Sequence, residues 1–204
     1  MSTIIEKYNE LCRIPSDIHE HLPTLQKYAS ECMHITEAGV RGIVSSYAFA
    51  SGLLGKSGTQ FVQIDVKADP TIDSFVELCN SNGILTVFYE DNDLTCPIEQ
   101  TDLFFIDTFH VYSQMKRELD RWHSYTNKYI IMHDTTSDEW VGESVRCGHT
   151  LEIISKEFNL PNDETIKMGV WPAIQEFLNT HPEWILHERF TNNNGLTILK
   201  RVSK

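Results

Sequence analysis

The 204-residue chain is short of positive charge. Seventeen lysines and arginines stand against 29 aspartates and glutamates, a formal net charge of −12. So acidic a surface repels phosphate backbones and anionic lipid, which argues against nucleic acid or a membrane as a partner. Cysteine is sparse as well. The five (Cys12, Cys32, Cys79, Cys96 and Cys147) are scattered and form no CxxC pair. That spacing argues against a zinc knuckle or a disulfide framework and makes reduced thiols in a cytoplasmic setting the expectation. No apolar run approaches the ~20 residues of a membrane span. The first 30 residues carry charges throughout instead of a signal-peptide apolar core. Internal repeats and low-complexity tracts are absent too. What remains is ordinary globular composition, 41% hydrophobic and 23% charged. It suits one domain with a full core over residues 1–204, with an N-terminal helical segment over residues 1–30.

Strand and helix alternate from about His34 to Asp134. His34–Val40, Thr59–Val66, "ILTVFY", "DLFFID" and "KYIIMHD" read as strands. "FVQI", "LFFI" and "YIIM" are nearly continuously apolar, as strands covered on both faces are. Helical segments fall between them: Ser45–Leu54, "TIDSFVELCNSNG" closed by Gly83, and "YSQMKRELDRWHSYT" with Met115, Leu119 and Trp122 near a helical period. Ser16 and Asp17 read as an earlier helix start, with Pro23 pointing to a later one at the Leu22–Pro23 step. The tail changes character. "VWPAIQEFLNTHPEW" is a helix broken by Pro182, and "WILHERF" and "GLTILKRV" flank the Asn-rich turn "TNNNG". The expected fold is α/β: Rossmann-like and doubly wound, a mostly parallel seven-stranded sheet with an antiparallel C-terminal hairpin.

Ligands of open parallel sheets bind beyond the carboxyl ends of the strands, and five strand ends here carry suitable groups. "EAGVRG" (Glu37–Gly42) offers a glycine turn into a helix, although its spacing is not GxGxxG and a plain turn accounts for it equally well. Asp65 ends the next strand, where an acid accepts hydrogen bonds from ribose hydroxyls. "EDND" (Glu90–Asp93) ends the third, either bordering an adenine or capping a loop. Asp107 and Asp134 end the fourth and fifth, 27 residues apart, room for one crossover. Hard carboxylate ligands at one edge suit Mg²⁺ or another divalent cation, with His133 completing the shell. His110, three residues past Asp107, stands where a general base would. The blander account makes each aspartate a helix N-cap; two His–Asp neighbours at consecutive strand ends favour chemistry instead. "TSDEWVGESVRCGHT" (Thr136–Thr150) reads either as a lid, with Trp140 and Arg146 as candidate substrate contacts, or as an ordinary surface loop with Trp140 packed beneath.

Together, "ITEAGVRGIVSSYAF", "FVQID", "DLFFIDTFHVYSQMKREL" and "KYIIMHDTT" resemble the class I S-adenosylmethionine (SAM)-dependent methyltransferases. More narrowly they are similar to the metal-dependent small-molecule O-methyltransferases related to cephalosporin hydroxylase and the macrolide-sugar methyltransferases. The resemblance covers roughly residues 15–200, and the D-x-x-H and H-D-T motifs are its specific part. It implies that Glu37, Gly39 and Gly42 line the methionine and ribose side of SAM and that Asp65 holds the ribose. Asn92 and Asp93 would lie near the adenine, with Asp91 as a substitute. Asp107 and Asp134 would bind a divalent cation with His133 as third ligand, and His110 would be the base. Two positions depart from the pattern: Thr108 where a glycine is frequent, and His133 where the sugar enzymes commonly have glutamate.

The activity this implies is transfer of a methyl group to a hydroxyl of a small molecule, with a sugar or glycan as the favoured acceptor. Rival readings stay open at this point: a metal-dependent nucleotide-sugar glycosyltransferase using Asp91-Asn92-Asp93, a hydroxylase-like or hydrolytic metal enzyme built on His110, His133 and Asp134, or a non-catalytic interaction module. A homo-oligomer is compatible with the sequence, which does not fix the state of assembly.

Overall fold

The computed structural model describes residues 3–202; the outer two positions at each end of the expected 1–204 domain lie outside the described residues. Seven strands form one sheet in the order β3-β2-β1-β4-β5-β7-β6. They are β1 (His34–Ala38), β2 (Thr59–Asp65), β3 (Ile84–Glu90), β4 (Thr101–Ile106), β5 (Thr126–His133), β6 (Trp184–Phe190) and β7 (Leu196–Arg201). The first five run parallel. β7 lies antiparallel to β5, and β6 antiparallel to β7. The expected doubly wound sheet with its closing hairpin is the observed one.

Two-residue alternation explains why the central strands are apolar throughout. Leu103 and Phe105 of β4 point into one core, with Ile35, Phe61 and Ile131. Phe104 and Ile106 point into the other, with Ile130, Met132 and Leu199. The first core is closed by α1 (Ile4–Leu11), α2 (Leu22–Ser30), α3 (Val44–Leu53) and α4 (Ile72–Ser81); the second by α5 (Tyr112–Trp122) and α8 (Trp171–Thr180). Each face removes large apolar side chains from water, the main stabilising term of such a domain. No helix among the described residues is long and apolar enough to cross a membrane.

Local chemistry sets the boundaries. α2 starts at Leu22 with proline in its first turn, where the missing N–H costs nothing. Ser16 therefore caps a preceding turn, accepting from the Ile18 N–H at 3.4 Å, and not the helix expected after it. α8 ends at Thr180, ahead of Pro182. A short helix, α6 (Glu143–Arg146), lies within the segment expected to be a lid, and α7 (Leu151–Glu157) follows directly after it.

Candidate active site

The chain winds outward through β2 and β3 on one side of β1 and through β4 and β5 on the other. The crevice therefore opens between β1 and β4. Gly39 makes it possible. The Asp107 N–H donates to the Ala38 carbonyl at 2.9 Å, drawing the two strand ends together. Gly39 has φ +87°, and a Cβ there would lie 2.0 Å from the Asp107 carbonyl oxygen. A cavity of about 550 Å³ opens along this edge, lined among others by Gly39, Asp65, Asp91, Asp107 and Asp134. Its size suits a cofactor with a small acceptor.

One end is organised by Asp65. Its Oδ2 accepts from the Val40 N–H at 2.7 Å and its Oδ1 from the Lys67 N–H at 3.1 Å. The carboxylate is thus fixed, with lone pairs to spare for hydroxyl donors. Asp91 and Asn92 line the cavity beyond it, and Asn92 Oδ1 accepts from the Leu94 N–H at 2.8 Å to fold the turn. Asp93 also lines the wall, but its side chain is nearly buried against α5, where Gln114 Nε2 lies 3.4 Å away and Glu118 sits beside it. Burial and the Glu118 charge push the Asp93 carboxyl well above the usual range. An acid turned inward against α5 does not pair with Asp91 around a diphosphate-bound metal.

Two expected cofactor contacts stand elsewhere. Gly42, at φ +77°, does not line the cavity; its N–H donates to Asp69 Oδ2 at 3.3 Å. Glu37 is fully buried beneath the turn, accepting from Ser45 Oγ (2.5 Å), Ser46 Oγ (2.6 Å) and Gln63 Nε2 (3.0 Å). It reaches the cavity only through Ser45, which does line it. Burial pushes the Glu37 carboxyl up from 4.5 to about 7, against the pull of its three donors. The folded chain thus keeps a proton that the unfolded chain releases near pH 4.5, so this group's contribution to stability falls as pH rises from 4.5 to 7. The total loss is roughly 3 kcal/mol. Glu37→Gln is expected to flatten that decline, read as the difference between variant and wild-type urea midpoints at pH 5 and pH 7.5. Parallel curves would contradict it.

The other end gathers carboxylates and imidazoles. Asp107, His110 and Asp134 each present a ligand atom within 4.8 Å of the others'. Asp134 takes φ +56° as β5 ends, a left-handed conformation that an aspartate tolerates and that recurs at functional sites. Ser137 Oγ holds its Oδ1 at 2.9 Å. His110 Nε2 lies 3.2 Å from Asp107 Oδ1, and its Nδ1 lies 3.1 Å from Glu143 Oε2 and 3.4 Å from Asp134 Oδ2. Burial opposes charge on this ring, but the three surrounding carboxylates hold its pKa well above the ordinary histidine value. Burial likewise opposes the Asp107 charge, yet His133 and His110 hold its carboxyl far below the usual range. His133 does not line the cavity; it stands behind the aspartates, 1% exposed, with Nδ1 3.2 Å from Asp107 Oδ1.

Glu143 is the participant that sequence reasoning missed. Its Oε2 also accepts from the His110 main-chain N–H at 3.2 Å, and its own N–H donates to the His110 carbonyl at 2.9 Å. It lies in a stretch without periodicity, so no sequence signal marked it. Arg146 lines the cavity but is committed to buried Asp138 by two bonds of 2.6 and 2.8 Å. Trp140 is largely exposed and outside the cavity lining.

No protein-family model matches the chain, and no curated protein matches it. Solved structures do. An O-methyltransferase from Bacillus cereus in complex with SAH aligns at TM-score 0.57 and 16% identity, covering 97% of this chain and 88% of that one. An SAH-bound methyltransferase from Podospora anserina aligns at TM-score 0.54 and 14% identity, covering 98% and 88%. A protein from Corynebacterium glutamicum aligns at TM-score 0.66 and 11% identity, covering 100% and 92%. The chain has the fold of the SAM-dependent methyltransferases. At these identities the likeness is one of fold, and the chemistry has to be argued from the site.

Proposed function

We propose that the chain is a SAM- and divalent-cation-dependent O-methyltransferase acting on a hydroxyl of a small molecule, with a sugar or glycan as acceptor. One observation carries this reading. A single cavity joins the Gly39–Asp65 end, suited to a nucleoside, to the Asp107–His110–Asp134 end, suited to a cation.

SAM would be held by the Gly39 turn, Asp65 and the Asp91–Asn92 loop. The donor set fits a cation on its chemistry, because two carboxylates converge in a half-buried edge where their repulsion calls for positive charge. Such an ion, Mg²⁺ or another divalent, supplies Lewis-acid polarisation that lowers an alcohol's pKa. The side chains do the rest. Glu143 accepts Nδ1–H of His110 and sets the ring, so that Nε2 is the nitrogen available for the acceptor's proton. The leaving group is a neutral thioether, so the site needs no further charge there, and alignment of oxygen with methyl supplies much of the acceleration. An uncharged polyol suits this end, since Asp17, Asp107, Asp134 and Glu143 line it and Arg146 is already paired.

The glycosyltransferase reading loses its metal pair with Asp93 turned into the α5 wall. Calorimetric titration with SAM, with and without Mg²⁺, tests the proposal, followed by a screen of glycans and diols for methyl acceptance. Saturable SAM binding is expected. Metal-dependent binding of a nucleoside diphosphate with none of SAM would overturn it.

A further inference from the structure

We infer that Arg41 and Asp17 read the amino-acid tail of SAM, Arg41 taking its carboxylate and Asp17 its ammonium, so that the chain selects a cofactor with an intact α-amino acid. This rests on the reading of the cavity as a SAM site. The sheet edge runs in the order β3, β2, β1. A SAM molecule with its adenine at Asp91–Asn92 and its ribose on Asp65 therefore brings its tail to the turn after β1. Glu37 and Gly42, the groups expected there, do not line the cavity; Arg41 and Asp17 do. The reacting methyl would sit between that turn and the cation end, so Asp17 borders both.

Charge singles out these two side chains. The tail of SAM is a zwitterion attached to a sulfonium. Carboxylates dominate the cavity; they suit the sulfonium and the ammonium but repel the tail's own carboxylate. Two arginines line the cavity, and Arg146 is spent on Asp138. The Arg41 side chain is 93% exposed, and among the described residues its ionic contact is Asp17 Oδ2 at 3.9 Å. So loose a pair leaves the guanidinium fork open to a bidentate carboxylate. The two charges of an α-amino acid sit on one carbon, and a separated Arg–Asp pair accepts them side by side.

Both side chains stand on fixed backbone. The Gly42 N–H donates to Asp69 Oδ2 at 3.3 Å and the Ile43 N–H to the Val40 carbonyl at 3.0 Å, closing the turn that carries Arg41. The Asp17 carbonyl lies 3.1 Å from His133 Nε2, which also lies 3.3 Å from the Asn193 carbonyl. Asn193 Nδ2 donates to the Ser16 carbonyl at 2.8 Å. The segment that carries Asp17 is thus pinned to the end of β5 and to the turn between β6 and β7.

The test is calorimetry of the full chain with three ligands: SAM, decarboxylated SAM, which keeps the sulfonium and the ammonium, and 5′-methylthioadenosine, which keeps neither. On net charge alone an acidic cavity would favour the decarboxylated compound, which is more positive than SAM. Arg41 reverses that order, and the wild type should bind SAM about tenfold or more tighter. Arg41→Met should weaken SAM by that factor and abolish the preference, whereas Arg41→Lys should keep part of it. Asp17→Asn should weaken SAM and the decarboxylated compound together. Methylthioadenosine should bind every variant equally, which guards against loss of the fold. A wild type that binds SAM no tighter than the decarboxylated compound would overturn the inference and leave the methyltransferase reading standing. So would an Arg41→Met that spares SAM or weakens all three ligands alike, or an Asp17→Asn that spares both ammonium compounds. Failure of the wild type to bind SAM would overturn that reading, and this inference with it.

Discussion

His110→Ala is expected to lower kcat by about 10²–10⁴-fold while leaving the affinity for SAM near that of the wild type. The separation follows from position. His110 sits at the cation end of the cavity among Asp107, Asp134 and Glu143, whereas Asp65 and Asn92 stand at the other end. The three surrounding carboxylates raise the pKa of the ring against the effect of burial. Asp107 and Asp134 would hold a divalent cation whose charge would offset their own, leaving Nε2 of His110 to act as a base. Removing the ring leaves no other imidazole lining the cavity, since His133 is held behind the aspartates. The checks are the rate of SAH release with the acceptor found by screening, and calorimetry with SAM. His110→Asn controls for packing: it keeps a polar side chain without a base and should be equally slow. Turnover within about tenfold of wild type in both variants would place the base elsewhere.

Gly39→Ala should cost several kcal/mol of stability and abolish SAM binding. Two effects add. The φ of +87° is strained for any residue with a Cβ, and that atom would fall 2.0 Å from the Asp107 carbonyl oxygen. The backbone there cannot retreat without breaking the bond between the Asp107 N–H and the Ala38 carbonyl, so β1 and β4 must part. Gly42→Ala is the matched comparison. It also has positive φ (+77°), but its nearest neighbour would be Val44 Cγ2 at 3.8 Å, so only the conformational cost of about 1 kcal/mol remains. Urea unfolding of the two variants separates steric conflict from backbone strain. Equal losses would mean that the close approach at Gly39 relaxes freely.

Much of this architecture was legible because the central strands are covered on both faces. That requirement writes itself as unbroken apolar runs at "LFFI" and "YIIM", and the acids that end those runs mark the sheet edge. Glu37 shows where such reading stops short. The resemblance placed it beside the methionine and ribose of SAM, yet alternation puts its side chain on the face it shares with Ile35, under α3. There Ser45 and Ser46 receive it. The same two-residue rule sends His133 to the Ile131 side of the sheet, behind the carboxylates. Glu143 and the Asn193 carbonyl were beyond sequence reasoning for another reason. Their roles come from loops that meet the site only in three dimensions, and neither helical nor strand periodicity extends to them.

The turn between β6 and β7 carries a temporal consequence. The Asn194 carbonyl accepts from the Thr136 and Ser137 N–H groups at 2.8 and 3.0 Å, beside the carbonyl that orients His133. A ribosome reaches this turn long after it has made every acidic group of the cluster. The nascent chain therefore lacks this anchor of the loop after Asp134 until the hairpin emerges, so final setting of that wall of the cavity is a late event of folding.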